Sequence, residues 1–369
     1  MKLLHVVGAR PNFPKVAPVH RAAAATGLDQ VIVHTGQHYD DEMSGRFFRE
    51  LEIPAPDVNL GVGSASHAKQ TARIIEAIEP VLTNETPDWV VVYGDVNSTM
   101  AAALVAAKLL IPVAHVEAGL RSGDRTMPEE INRIVTDRLA ELLLIPSKDA
   151  GETLRGEGVP KEQIAFVGNV MIDSLFHALP VAQSTGAAKR LEIDEDTVLV
   201  TLHRPSNVDS TARLSAVVDA LELIAAERRV LFPAHPRTRQ RLNEAGVVLR
   251  RIELIPPLSY HEMVDAMQAS GVAVTDSGGV QEETTALGIP CFTLRDNTER
   301  PITISEGTNT LVTDLGTLSE LVRASRRPAT APRPDGWDGR AAERVVRALC
   351  QAQRGRLGVA QGHQFTNVS

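Results

Sequence analysis

Short, unbroken apolar runs recur along the chain, each separated from the next by a longer stretch with helical periodicity. In the first half the runs fall at 3–7, 31–35, 89–93, 113–117, 142–145 and 164–167, with helical patterns such as 68–82, 99–110 and 129–139 between them. A strand with one wet face alternates polar and apolar residues, whereas a run that is apolar throughout must be covered on both faces. Such strands separated by helices indicate parallel βαβ units. The second half repeats the pattern at 198–201, 230–232, 254–255, 272–275 and 291–294. Over 180–196 the periodicity weakens and Ser, Thr, Gly and charged residues gather, so the linker is placed there. A chain of 369 residues exceeds one ordinary core. The expected architecture is α/β, with two doubly wound domains, 1–179 and 190–338, facing each other across a cleft. An Arg- and Pro-rich loop over 325–337 precedes a final helix expected at 339–354, and no fixed-period repeat is visible.

Composition removes several classes of function. A net charge of −8 supplies no global field toward nucleic acid or anionic lipid, so any phosphate must be held locally. Aromatic residues make up only 4%, too few for base-stacking platforms. Cys291 and Cys350 have no metal-site spacing and no support as a disulfide, which fits a reducing compartment. The apolar run after Lys2 is too short for a signal peptide, and no run approaches the roughly 20 residues that span a bilayer. The expected location is the cytoplasm.

Ligands of open parallel sheets bind beyond the carboxyl ends of the strands, so the exit loops carry the candidate chemistry. The first run leads into Gly8-Ala9-Arg10-Pro11-Asn12-Phe13-Pro14-Lys15, where Arg10 and Lys15 place two cations for a phosphate. For Arg10 the plain alternative is a solvated loop charge. This loop is neither a G-x-G-x-x-G turn nor a P-loop, so a nicotinamide cofactor or bound ATP is not supported. Asp95 follows the run 89–93, in a setting where it would equally cap the next helix. Glu117 closes the run 113–117; a carboxylate at that depth needs a partner and often has a tuned pKa. A structural pair with Arg121 or Arg133 is the alternative. Pro128-Glu129-Glu130-Ile131-Asn132-Arg133 opens a helix, and helix-start chemistry explains one of its two glutamates but not obviously both.

In the second half His203 and Arg204 leave the run 198–201, and His203 would titrate near neutrality or donate to a phosphate oxygen. His235 lies at a similar exit. The run 272–275 passes into Asp276-Ser277-Gly278-Gly279 and then a helix carrying Glu282 and Glu283. Glycines there let backbone N–H groups approach an anion at a helix N-terminus, and a carboxylate one turn along would accept ribose hydroxyls. An ordinary strand–turn–helix joint with Ser277 as N-cap is the alternative. Arg300 follows in Arg295-Asp296-Asn297-Thr298-Glu299-Arg300-Pro301.

Taken in order, Gly8-Ala9-Arg10-Pro11 with Lys15, Gly94-Asp95, His115 to Arg121, Pro128 to Arg133, Gly168-Asn169, His203-Arg204, Thr275 to Gly279 with Gln281-Glu282-Glu283, and Arg295-Asp296 with Thr298 to Pro301 span about residues 1–350. In these stretches the chain resembles the non-hydrolysing UDP-N-acetylglucosamine 2-epimerases. The resemblance implies a glycosyltransferase-B-type fold of two Rossmann-like domains, the last helix packing back on the first. It implies conversion of UDP-N-acetylglucosamine to UDP-N-acetylmannosamine by anti elimination of UDP to 2-acetamidoglucal and re-addition. Asp95, Glu117, Glu129 and His203 would be catalytic. Arg10, Lys15, Arg133, His235, Ser277, Gly278, Gly279, Glu283 and Arg300 would bind substrate. No metal or cofactor is implied, nor a nucleic-acid or membrane partner; a homodimer serving cell-surface polysaccharide synthesis is.

The chain departs from the family pattern in places. The second run exits into Gln37-His38-Tyr39-Asp40, where many bacterial members carry a longer Gln-His-Arg stretch belonging to a substrate-activator site. Pro205 replaces a second Arg after His203-Arg204. The Gln37 to Asp40 and Arg121-Ser122 forms also resemble relatives that epimerise UDP-2,3-diacetamido-uronic acids, whereas Thr298 to Pro301 favours the N-acetylglucosamine branch. A hydrolysing epimerase, a retaining transferase of UDP-sugars and a non-catalytic UDP-sugar sensor would share parts of the same pattern.

Overall fold

The computed structural model describes residues 1–36 and 41–364. The chain divides into two compact units. Unit 1 is Met1–Ser174 together with the described residues from Asp335 on, and unit 2 is Leu175–Pro334. Unit 1 holds seven strands, β1 (Lys2–Val7), β2 (Asp29–His34), β3 (Val58–Asn59), β4 (Trp89–Tyr93), β5 (Val113–Val116), β6 (Leu142–Ile145) and β7 (Ile164–Phe166). All pairs are parallel, in the order β3-β2-β1-β4-β5-β6-β7. Every residue of β4 is buried, as a central strand with helices on both faces requires.

Unit 2 has six strands, β8 (Val198–Thr201), β9 (Val230–Pro233), β10 (Glu253–Ile255), β11 (Val272–Thr275), β12 (Cys291–Thr293) and β13 (Asn309–Leu311). They are parallel in the order β10-β9-β8-β11-β12-β13. Burial on both faces is explicit here. Val198, Val200, Val230, Phe232, Val272 and Val274 belong to one core cluster, while Leu199, Leu231, Ala273 and Cys291 belong to another. Alternate residues of one strand point to opposite faces, so the unbroken apolar runs fill two cores at once.

In each sheet the direction of strand addition reverses once, between β1 and β4 in unit 1 and between β8 and β11 in unit 2. Loops leaving the two strands at such a point run to opposite faces and open a crevice. The exits of β1 and β4 carry Arg10, Lys15 and Asp95, and those of β8 and β11 carry His203 and Ser277.

Several expectations change. β3 and β13 have two and three residues, too short to leave a periodic signal. The stretch 180–196, expected as the linker, is mostly helical, in Val170–Ser184 and Ala187–Arg190. The first of these helices runs on past Pro180, which removes one backbone donor without ending it. The boundary between the units falls within it, at Ser174 and Leu175. The last helix starts later and ends later than 339–354, at Ala341–Gln364. Its first N–H groups, of Ala341 and Ala342, donate to the Asp173 carboxylate at 3.1 and 2.7 Å, and Trp89 Nε1 donates to Gln353 at 2.9 Å. These bonds seat the helix on unit 1. Among the described residues no helix is long and apolar enough to cross a membrane.

Candidate active site

Glu117 lies just past the end of β5, with φ at +73°, a left-handed conformation that costs a non-glycine residue free energy. Its side chain is buried and ion-paired with Lys15, which the helix Phe13–Ala25 carries and which is also buried. Neither Arg121 nor Arg133 is this partner. Arg121 pairs with Asp137 and Glu157, and Arg133 with Asp95 and Glu130. Gly94, at φ +61°, passes beside the Lys15–Glu117 pair. A Cβ there would meet Lys15 Nζ at 2.7 Å and Glu117 Oε2 at 3.0 Å. Only glycine combines that backbone conformation with that approach.

Asp95 does not cap the helix Asn97–Lys108, whose N-cap is Val96. Its carboxylate, about a quarter exposed, accepts from Arg133 at 2.5 Å, and its carbonyl accepts from Asn132 Nδ2 at 2.9 Å. Arg133 itself is buried and also donates to Glu130 at 2.7 and 3.0 Å. Glu130 in turn accepts the N–H groups of Ser122 and Gly123 at 3.0 and 2.9 Å. Burial would raise the Glu130 carboxyl, but these bonds and Arg133 hold it below the usual carboxylate range. Glu130 is thus the structural member of the pair. Glu129, half-buried on the same helix, has no ion-pair or hydrogen-bond partner among the described residues. Arg10 lies with its guanidinium 4.5 Å from the centre of the Phe47 ring, a cation–π contact. Gln37, His38, Tyr39 and Asp40 lie outside the described residues.

In unit 2 the buried Asp276 organises the exit of β8. Its carboxylate accepts the N–H of His203 at 3.1 Å, that of Arg204 at 2.9 Å and Asn207 Nδ2 at 3.2 Å. His203 Nδ1 lies 3.1 Å from Asp276 Oδ1, while more than half of the imidazole is exposed. Burial alone would push Asp276 up; its bonds to His203, Arg204 and Asn207 bring it below the ordinary value. Ser277 occupies the N-cap position of the helix Gly278–Leu287, yet its side chain caps nothing. Gly278 serves a close approach, since a Cβ there would lie 2.5 Å from an Arg300 nitrogen. That guanidinium is buried, held by Glu299 and by Glu282 at 2.9 Å. Glu299 also takes Arg295 at 2.7 Å and lies 3.8 Å from Arg204, and despite burial these three arginines hold it far below the carboxylate range. Three guanidinium groups therefore crowd the start of a helix whose positive end already favours anions.

Glu283 is buried one turn along that helix, next to Tyr260. Burial pushes its carboxyl up to about 7, Tyr260 opposes the rise and Glu282 adds to it. His235 stands at the N-cap of Pro236–Glu244, where Nδ1 accepts the Arg237 N–H at 3.3 Å. The sequence assigns no role to Asp137, Asp276 or the buried Glu299. Asp137 and Asp276 are defined by partners from other segments, whereas Glu299 pairs with Arg295 and Arg300 of its own loop.

A family model for UDP-N-acetylglucosamine 2-epimerase matches residues 20–350. The UDP-N-acetylglucosamine 2-epimerase of Methanocaldococcus jannaschii is 42% identical over 364 residues, covering 95% of this chain and 99% of that protein. A crystal structure of the M. jannaschii enzyme in complex with UDP-GlcNAc and UDP matches with a TM-score of 0.88 at 41% identity, over 95% of this chain and 100% of that one. The epimerase of Neisseria meningitidis bound to UDP-GlcNAc matches with a TM-score of 0.85 at 30% identity, over 95% and 100% of the two chains. The UDP-2,3-diacetamido-2,3-dideoxy-D-glucuronate 2-epimerase of Pseudomonas aeruginosa is 41% identical over 360 residues, 95% of this chain and all of that one. With the shared two-sheet α/β architecture, these matches show that the chain belongs to the UDP-N-acetylglucosamine 2-epimerase family and is an isomerase.

Proposed function

We propose that the chain interconverts UDP-N-acetylglucosamine and UDP-N-acetylmannosamine without releasing the sugar. The observation that carries this reading is the match to the M. jannaschii epimerase, solved with UDP-GlcNAc and UDP. Carbon 2 of the sugar has no carbonyl attached, so its proton is not acidic. The chemistry that avoids this barrier is elimination: the carbon 1–oxygen bond breaks as the carbon 2 proton leaves, giving 2-acetamidoglucal and UDP. Re-addition of UDP with protonation from the opposite face gives the epimer. Two faces require more than one acid–base group, and the departing diphosphate requires fixed positive charge.

Asp95, Glu117, Glu129 and His203 take the acid–base work in this proposal. Support comes from a Glu129 side chain without a partner among the described residues and an imidazole tethered through Nδ1 at His203. Lys15 supplies the cation paired with Glu117, and Arg133 the cation paired with Asp95. Ser277, Gly278, Gly279 and Arg300 receive the diphosphate, Arg10 and His235 supply further donors, and Glu283 takes the ribose hydroxyls. UDP and the glucal must be kept from escaping between the two half-reactions, and the enzyme would work as a homodimer in the cytoplasm.

The second reading, epimerisation of a UDP-2,3-diacetamido-uronic acid, is favoured by the 41% identity to the P. aeruginosa enzyme. Incubating the protein separately with each UDP-sugar and following the anomeric proton by NMR tests the choice. A new manno signal from UDP-N-acetylglucosamine supports the first reading, and turnover of the uronic acid alone replaces it with the second.

A further inference from the structure

His115 is fully buried on β5, two residues before Glu117. Its Nε2 lies 2.8 Å from the carbonyl oxygen of Gly94, and its Nδ1 lies 2.6 Å from Asp137 Oδ1. A carbonyl can only accept, so Nε2 carries a proton. Asp137 has two further donors on its other oxygen, the Gly119 N–H at 3.1 Å and Arg121 NH1 at 2.7 Å. That environment keeps it an acceptor toward His115 as well, so Nδ1 also carries a proton. The ring therefore donates from both ends. One end grips the residue before Asp95. The other grips the carboxylate that pins Gly119 and Arg121, in the loop that starts at Glu117. Gly94 borders the Lys15–Glu117 pair so nearly that a Cβ on it would lie 3.0 Å from Glu117 Oε2, which ties the placement of its peptide to that pair.

We propose that His115, braced by Asp137, is a positioning residue that locks the Asp95 and Glu117 loops in register as a buried imidazolium donating to Gly94. This rests on the epimerase reading of Asp95 and Glu117, but the hydrogen-bond pattern itself does not. Two substitutions separate the two ends of the ring, because Gln places its amide near Nε2 and Asn places its amide near Nδ1. His115→Gln keeps the bond to Gly94, and His115→Asn keeps only the bond to Asp137.

The test is steady-state kinetics with UDP-N-acetylglucosamine, after tryptophan-fluorescence melts confirm that each variant is folded. His115→Asn is expected to lose about 100-fold in kcat, the scale of a misplacement near 1 Å, with KM changed less than about threefold. His115→Gln is expected to recover most of that loss. Equal losses in the two variants, or an effect on KM alone, would overturn the proposal. Nitrogen-15 NMR of the histidine-labelled wild-type protein at pH 7 stands apart from activity. The expected spectrum shows both His115 ring nitrogens protonated, and a singly protonated ring would overturn the proposal even if neither variant folds.

Discussion

Replacing Lys15 by Met probes the most exacting arrangement in unit 1. Lys15 is 4% exposed and Glu117 6%. Removing the ammonium takes from a buried carboxylate the cation it is ion-paired with. Breaking a buried pair from one side costs about 3–5 kcal/mol, far more than a surface pair contributes. For a unit of this size that lowers Tm by on the order of 10 °C. The assay is urea unfolding followed by tryptophan fluorescence. Both tryptophans, Trp89 and Trp337, belong to unit 1, so the signal reports the unit that carries the pair. In the double variant Lys15→Met/Glu117→Gln no unpaired charge remains, and most of the loss should return, with a coupling of at least about 2 kcal/mol. Gln is chosen because the positive φ at 117 penalises β-branched residues. A single-variant loss below about 1 kcal/mol, or strict additivity in the double variant, refutes the argument that the pair is buried and mutually dependent.

Three further outcomes follow from the site. Glu283, raised to about 7 by burial, is largely protonated at pH 6, whereas ribose hydroxyls donate best to its ionised form. UDP affinity should therefore rise with pH up to about 7 and level off above, with proton release on binding visible by calorimetry in two buffers; Glu283→Gln should remove both effects. The unliganded protein shows the opposite trend, because a carboxyl raised in the folded state contributes stability below 4.5 that is lost as pH rises through about 7. Gly278→Ala forces a Cβ against an Arg300 side chain fixed by two carboxylates, so UDP binding by calorimetry should weaken about tenfold, the effect of roughly 1.4 kcal/mol of overpacking. Glu129→Gln should abolish turnover at unchanged Tm, while Glu130→Gln should lower Tm by several degrees, because one of the two oxygens that accept from Ser122, Gly123 and Arg133 becomes a donor and the charge facing Arg133 is lost.

What could be read from the chain was whatever local periodicity encodes. The runs 89–93, 142–145, 198–201 and 272–275 coincide with β4, β6, β8 and β11, because strands buried on both faces leave an unmixed apolar signal. β3 and β13 left none, being held by neighbours rather than by their own pattern. The stretch 180–196 read as a linker from its weak periodicity and polar composition, yet the helix Val170–Ser184 runs through Pro180. Glu117 was legible as a carboxylate needing a partner. Its partner was not, since Lys15 lies 102 residues away and was assigned to phosphate. The same limit hid the role of Asp276, which exists only once β8 and β11 converge.

The central claim is reversible elimination at carbon 2 with UDP retained, and one measurement bears on it most directly. The wild-type protein is incubated with UDP-N-acetylglucosamine in D₂O and the mixture followed by proton NMR. Deuterium at carbon 2 of both epimers, with a steady gluco–manno ratio and no free N-acetylmannosamine, is the expected result. Epimerisation without solvent deuterium at carbon 2, or release of free sugar with UDP, would contradict the account.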